Sequence, residues 1–306
     1  MIALLAPGQG SQTPGMLEPW LELPGAADQI STWSDIAGLD LARLGTTASA
    51  DEITDTAVTQ PLVVAATLLA NAERVKRGLL ADKKTVVAGH SVGEIAAYAI
   101  AGVISADDAV KLAAVRGAEM AKACAIEPTG MSAVLGGDEA EVLEALARLD
   151  LIPANRNAAG QIVAAGAVAA LEKLAEDPPA KARVRQLATA GAFHTHYMAS
   201  ALDGYSKAAA EVAASEPTTT LLSNSDGQPV TSAADAMEKL VAQLTRPVRW
   251  DLCTETMRQL FENAEGCAIV EFPPAGTLAG IAKRELRGIA TRAVKTPADL
   301  DGLAEL

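Results

Sequence analysis

The stretch TVVAGHSVGEIAAYAIA, residues 85–101, decides how this chain is built. Thr85 to Ala88 is a short run rich in β-branched residues and reads as a buried strand. It breaks at Gly89, and a helix follows from about Glu94 to Ala101. Between them, Gly89-His90-Ser91-Val92-Gly93 is a G-x-S-x-G pattern. A strand that reverses straight into a helix crowds its own Cβ atoms, so small residues must flank the turn. The middle residue is held strained, with its side chain pushed out at the C-terminal end of the sheet, where α/β folds place their sites. The helix aims free N–H groups and its positive dipole end at the same point. The Val92 N–H is one that an oxyanion could use. The competing reading of Ser91 is a helix-capping serine after a glycine turn; the strand before it and the helix after it favour a nucleophile.

Outward from this turn, the same alternation continues. Met1 to Ala6 reads as a buried strand entering the Pro7-Gly8-Gln9-Gly10 loop. Val58 to Lys76 has apolar residues at helical spacing, and Ser105 with Asp108 opens a helix that runs to about Ala123. Ala268 to Phe272 is a further strand, followed by a turn and a helix around Leu278 to Leu286. Strands alternating with helices predict an α/β core with a mainly parallel sheet. The middle differs. Met131–Leu135, Asp138–Leu149, Leu151–Asn157, Gln161–Ala165, Val168–Ala175 and Ala182–Ala188 read as β-α-β-β-α-β, the order of a ferredoxin-like unit. The expected organisation is a catalytic domain of residues 1–125 and 189–306, with residues 126–188 inserted as a small subdomain.

Composition narrows the function. Half of the 306 residues are apolar and only 3% aromatic, which favours closely packed helices over a β-sandwich. A formal net charge of −13 repels nucleic acid and anionic membranes at long range. Cys124, Cys253 and Cys267 are scattered, with no C-x-x-C pair, so neither a disulfide framework nor a zinc site is expected. The start of the chain lacks the basic region of a signal peptide, and no apolar run is long enough to span a bilayer. The expectation is a cytoplasmic protein with reduced thiols, acting as a monomer.

A serine hydroxyl needs a base. Only His90, His194 and His196 exist, and His90 abuts the serine, where it reads as a packing or hydrogen-bonding residue. The base then comes from Gly191-Ala192-Phe193-His194-Thr195-His196, a loop. A His-x-His metal pair lacks a third ligand nearby. The acids between Ser91 and His194 fall mostly in the insertion, so a side-chain amide or a backbone carbonyl is expected to orient the imidazole. Thioesters tolerate this weaker help, because thiolates leave easily. Arg116 shares the apolar stripe of its helix with Ala109, Leu112, Ala113 and Met120. A buried guanidinium needs an anion, either a structural carboxylate or one carried by the substrate. A simple hydrolase would have no use for Arg116, and a non-catalytic scaffold would form no covalent intermediate.

Taken in order, Gly8-Gln9-Gly10-Ser11-Gln12, Gly89 to Glu94, Arg116-Gly117, Asn155 to Val163, Gly191 to His194 and Gln243 to Trp250 resemble the motifs of malonyl-CoA:acyl carrier protein transacylases, kin of polyketide-synthase acyltransferase domains. The resemblance runs from about Ile2 to beyond Lys283. It implies an α/β-hydrolase-like core with a ferredoxin-like insertion. It implies malonyl transfer from coenzyme A to the phosphopantetheine thiol of acyl carrier protein, for fatty-acid or polyketide synthesis, with no cofactor beyond the thioester substrate and no metal. Ser91 would be the nucleophile, His194 the general base, and Gln243 the residue that orients the His through its side-chain carbonyl. Gln9 and the Val92 N–H would line the oxyanion hole. Arg116 would bind the malonyl carboxylate, Met120 would line the acyl pocket, and Phe193 resembles the malonyl-selecting form. Asn155, Asn157 and Gln161 would meet the thioester arm. The carrier is usually acidic, so Arg246, Arg249, Lys283, Arg284 and Arg287 are candidates for a basic docking patch. Two departures stand out: Arg246 where the family usually has Asn, and Glu271-Phe272-Pro273-Pro274-Ala275-Gly276 in place of a more glycine-rich loop.

Overall fold

A computed structural model describes residues 1–306. Its strands are β1 (Ile2–Ala6), β2 (Thr85–Gly89), β3 (Thr129–Gly136), β4 (Ile152–Ala158), β5 (Gln161–Ala167), β6 (Ala182–Gln186), β7 (Thr220–Leu222), β8 (Val248–Arg249), β9 (Ala268–Glu271) and β10 (Ala290–Ala293). The fold is mixed α/β with two five-stranded sheets. In the order β10-β9-β1-β2-β7, every pairing is parallel. The central strands read as apolar runs because helices cover both faces. Ile2, Leu4 and Ala6 enter the main core on one face, while Ala3 and Leu5 enter a second core on the other.

The second sheet has the order β6-β3-β5-β4-β8. Its first four strands are antiparallel and belong to residues 129–186. Val134, Ile162 and Ala164 pack under the helices Glu139–Arg148 and Val168–Glu176 in a small core of their own. Met131, Val163 and Ala165 face the opposite way and join the main core. The alternation along each strand thus glues the segment to the body it interrupts. The fifth strand, β8, comes from outside the segment and pairs parallel with β4, Asn155 opposite Val248. That two-residue strand is too short to carry a periodic signal. β7 and β10, at the edges of the parallel sheet, also escape the sequence reading.

Helix boundaries fall within a residue or two of expectation. The long helix is Thr56–Lys76, with Asp55 capping it, and the Arg116 helix is Ala106–Cys124, opened by Ser105 Oγ accepting the Asp108 N–H. The Gly-Ser turn has the crowding its glycines require. A Cβ on Gly89 would lie 2.1 Å from the Gly93 carbonyl oxygen, and one on Gly93 would lie 2.3 Å from that of Ala6. Ser91 sits between them at φ 53°, left-handed backbone that non-glycine residues rarely adopt.

Candidate active site

Ser91 stands at the end of β2, and its Oγ lies 2.7 Å from His194 Nε2. The turn is braced from β7's far end. Asn224 Oδ1 accepts the Ser91 N–H at 2.8 Å, and Asn224 Nδ2 donates to the Gly89 carbonyl at 2.7 Å. The Val92 N–H and the Gln9 N–H have no hydrogen-bond partner within the protein, and Gln9 turns its side-chain amide away to Thr56 Oγ1 at 3.3 Å. Gln9 lines the same cleft as Ser91, and Val92 follows the serine in the chain, so both main-chain donors are unengaged near the turn.

His194 is buried, at φ 60°. Its loop is pinned: Ala192 N donates to Thr129 Oγ1, and Thr195 Oγ1 donates to the Ala192 carbonyl. The far ring nitrogen, Nδ1, donates to the main-chain carbonyl of Gln243 at 2.8 Å. This corrects the expectation that the Gln243 side chain orients the imidazole. The side chain is engaged elsewhere, and only the carbonyl at the start of the short Gln243–Thr245 turn faces the ring. No carboxylate contacts His194. His196 is exposed and stacks on Tyr197, so the two histidines do not converge. No group of three metal-ligating side chains exists. His90 reaches across to β4, its Nε2 2.8 Å from Asn157 Oδ1.

Arg116 is 1% exposed. Gly117 lets its helix approach the start of the Thr56–Lys76 helix, where a Cβ would lie 2.7 Å from the Thr56 carbonyl oxygen. Arg116 then donates to Gln60 Oε1 at 2.7 Å and Gln243 Oε1 at 2.8 Å, and its second terminal nitrogen lies 3.5 Å from Ser91 Oγ. Its Nε has no partner, and it belongs to none of the ion pairs. Of the two anions the sequence left open, the structural carboxylate is not there. Neutral amides hold the fork, and no carboxylate touches it beside the serine. Burial lowers the Arg116 pKa, against the pull of Tyr205 and Glu94.

Burial first, and the Arg116 charge second, hold the His194 imidazolium down to about 3, opposed by the bond to the Gln243 carbonyl. The ring is therefore neutral and able to take a proton through the whole neutral range. A first prediction follows for acylation of Ser91 between about pH 5 and pH 8: no loss of rate centred near 6.5, the ordinary value. Rapid-quench loading across that range checks it; an acid limb at the ordinary value would contradict the shielding. The sign for stability is the same. Below 6.5 the unfolded chain binds a proton that native His194 refuses, so this group's contribution is lost as pH falls from 6.5 towards about 3.

A cleft of about 240 Å³ opens over Ser91 and His194, between the two sheets. Asn155, Asn157, Gln161 and Phe193 line it. Asn157 is held by His90, and Gln161 takes a hydrogen bond from Arg284. Met120 is not on the cleft wall. It is buried one turn beyond Arg116, where its sulfur accepts from Gln60 Nε2 at 3.4 Å. The opposite wall, Thr277, Leu278 and Ile281, follows the loop where the sequence departs from the family pattern. Buried Glu271 fixes it by accepting the N–H groups of Gly276, Leu278 and Ala279 at 2.8–3.0 Å. Among the basic candidates, Arg249 is neutralised by Asp251 at 2.8 Å.

The roles of three buried residues escaped the sequence reading: Gln60, Glu94 and Asn224. Gln60 and Glu94 carried a signal, each being polar in an otherwise apolar helical stretch. Asn224 carried none, because its role depends on β7 lying beside β2.

The family model described as acyl transferase domain matches residues 4–298 of this chain. A malonyl CoA-acyl carrier protein transacylase from Mycolicibacterium smegmatis is 80% identical over 291 residues, 95% of this chain and 100% of that protein. The crystal structure of MCAT from Mycobacterium tuberculosis is 75% identical and superposes with a TM-score of 0.96, over 99% of both chains. A malonyl-transacylase solved in complex with its type II PKS acyl-carrier protein is 30% identical, with a TM-score of 0.91 over 99% of both chains.

Proposed function

The chain belongs to the acyl transferase domain family and moves malonyl from malonyl-CoA to acyl carrier protein; we propose that it does so through a malonyl ester on Ser91. The observation that carries this reading is the buried Arg116 guanidinium, in direct contact with no carboxylate and 3.5 Å from a serine oxygen that is itself 2.7 Å from a neutral imidazole. His194 takes the Ser91 proton as Oγ attacks the thioester carbonyl. The Gln9 and Val92 N–H groups hold the oxyanion. The C–S bond breaks, and His194 returns the proton to the coenzyme A sulfur. The carrier's phosphopantetheine thiol then gives its proton to His194 and attacks the ester, and the proton returns to Ser91 Oγ. Arg116 grips the malonyl carboxylate as a planar fork. Phe193 bounds the acyl group, and Asn155, Asn157 and Gln161 meet the pantetheine arm. Nothing in this cycle requires a metal or cofactor.

We read residues 1–125 and 189–306 as an α/β-hydrolase-like catalytic domain, and residues 126–188 as a ferredoxin-like insertion. The turn at Ser91 supports the first, and the order β6-β3-β5-β4 supports the second. No helix is long and apolar enough to cross a membrane. Three unpaired thiols support a reducing cytoplasm as the compartment. The test of the covalent step is intact mass after brief mixing with malonyl-CoA. One malonyl adduct is expected, with little from acetyl-CoA; folded protein without any adduct would remove the ester from the scheme.

Carrier docking is read onto Lys283 and Arg287, exposed cations beside the cleft wall that form no ion pair. Arg284 is less suited as a probe, being bonded to Gln161. Charge reversal, Lys283→Glu with Arg287→Glu, is expected to raise KM for the carrier about tenfold through lost steering. Transfer to a small thiol should be unchanged, and an equal loss with that acceptor would count against docking there.

A further inference from the structure

Glu94 lies one turn beyond Ser91, is 1% exposed, and contacts no reacting group in the scheme above. Both of its oxygens accept N–H groups: Oε1 that of Asn224 at 2.6 Å, and Oε2 the side-chain amide nitrogen of Gln243 at 2.5 Å. The same Gln243 nitrogen faces the Ser91 carbonyl at 3.1 Å and Asn224 Oδ1 at 3.2 Å. Three acceptors therefore surround one end of this amide. The other end, Oε1, accepts from Arg116 at 2.8 Å. An amide has one donor end and one acceptor end, so the acceptors decide which end Arg116 meets. Were the amide to turn over, an NH₂ group would point at a guanidinium, which has no acceptor to offer.

We propose that Glu94 is a positioning residue for acyl selection: through Gln243 it holds the Arg116 fork in the geometry that receives the malonyl carboxylate. This rests on Arg116 being the partner of that carboxylate. Glu94 also leaves the Arg116 fork free. It approaches the guanidinium only through the Gln243 amide and forms no ion pair with it. An acid in direct contact would compete with the substrate for the same nitrogens. Gln243 thereby serves two ends at once, its main chain on His194 and its side chain on Arg116.

Glu94→Gln tests this with little change of shape. The new amide keeps an oxygen for the Asn224 N–H and turns its NH₂ towards the Gln243 NH₂. The Gln243 amide loses its shortest acceptor and keeps only the Ser91 carbonyl and Asn224 Oδ1, so its hold on the Arg116 fork loosens. Malonyl loading should fall about tenfold in kcat/KM, chiefly through KM, with acetyl loading unchanged. Gln243→Leu, which keeps the main-chain carbonyl, should lower the ratio of malonyl to acetyl loading in the same direction, and serves if Glu94→Gln does not fold. Arg116→Ala is the control for the underlying reading. If it leaves the ratio unchanged, Arg116 is not the carboxylate's partner. If it collapses the ratio while the folded Glu94 or Gln243 variant does not, the positioning role alone is overturned. Equal losses with both donors would also overturn it, since they mark a structural defect at the turn.

Discussion

Ser91→Ala is expected to carry no malonyl adduct and to transfer malonyl about 10⁴- to 10⁶-fold more slowly than the unaltered chain, the range seen when a nucleophile is removed from a unit that acts together. The variant should remain folded. Alanine meets the left-handed φ of 53° with much the same strain as serine. The braces of the turn are main-chain groups: the Ser91 N–H on Asn224 and the Gly89 carbonyl on the same side chain. The only bonds lost are those of Oγ, to His194 and weakly to Arg116. Intact mass after mixing with malonyl-CoA, with a melting curve alongside, checks both halves. An adduct that persists in folded Ser91→Ala would place the nucleophile elsewhere.

Arg116→Ala is expected to cost malonyl loading about 10²- to 10³-fold, the size of a desolvated charge-assisted pair. The loss should show first as a loss of preference, because a neutral acetyl group never used the fork. Two effects accompany it. The acceptor oxygens of Gln60 and Gln243 lose their donor, which costs about 1–3 kcal/mol of stability for each one left unsatisfied. The charge that helps hold the His194 imidazolium down is also removed, so the acid limb of the pH profile should move upward, though burial remains the larger cause. Arg116→Lys should fall between the two, since an ammonium keeps the charge and loses the bidentate fork. Competition between malonyl-CoA and acetyl-CoA, read by mass, separates these cases. A variant that kept its preference would show that the carboxylate is bound by other groups.

How much of the site was legible depended on how local its cause was. The Ser91 turn could be read because everything that shapes it lies within Gly89 to Gly93: two glycines whose missing Cβ atoms make the reversal possible, a strand before and a helix after. Arg116 could be singled out because helical periodicity put a guanidinium in an apolar stripe. What would answer its charge stayed open, since that depends on which side chains three other segments bring near. The element order of the middle segment was legible for the same reason as the turn. Its periodicities switch in a fixed order, whereas β8, two residues long and paired across a chain separation of nearly a hundred, has no periodicity to read.

By itself, then, the sequence determined the parallel core, the β-α-β-β-α-β order of the middle segment, the strained serine and the His194 loop as the source of its imidazole partner. All of these follow from backbone sterics and apolar spacing over short stretches. Tertiary structure alone decided which atom of Gln243 meets which partner. Its carbonyl turns to His194 and its amide to Arg116 and Glu94. A glutamine offers two oxygens with the same appetite for a donor, and only the packing of β7, the Ser91 helix and the Arg116 helix around it makes one arrangement satisfy every buried group.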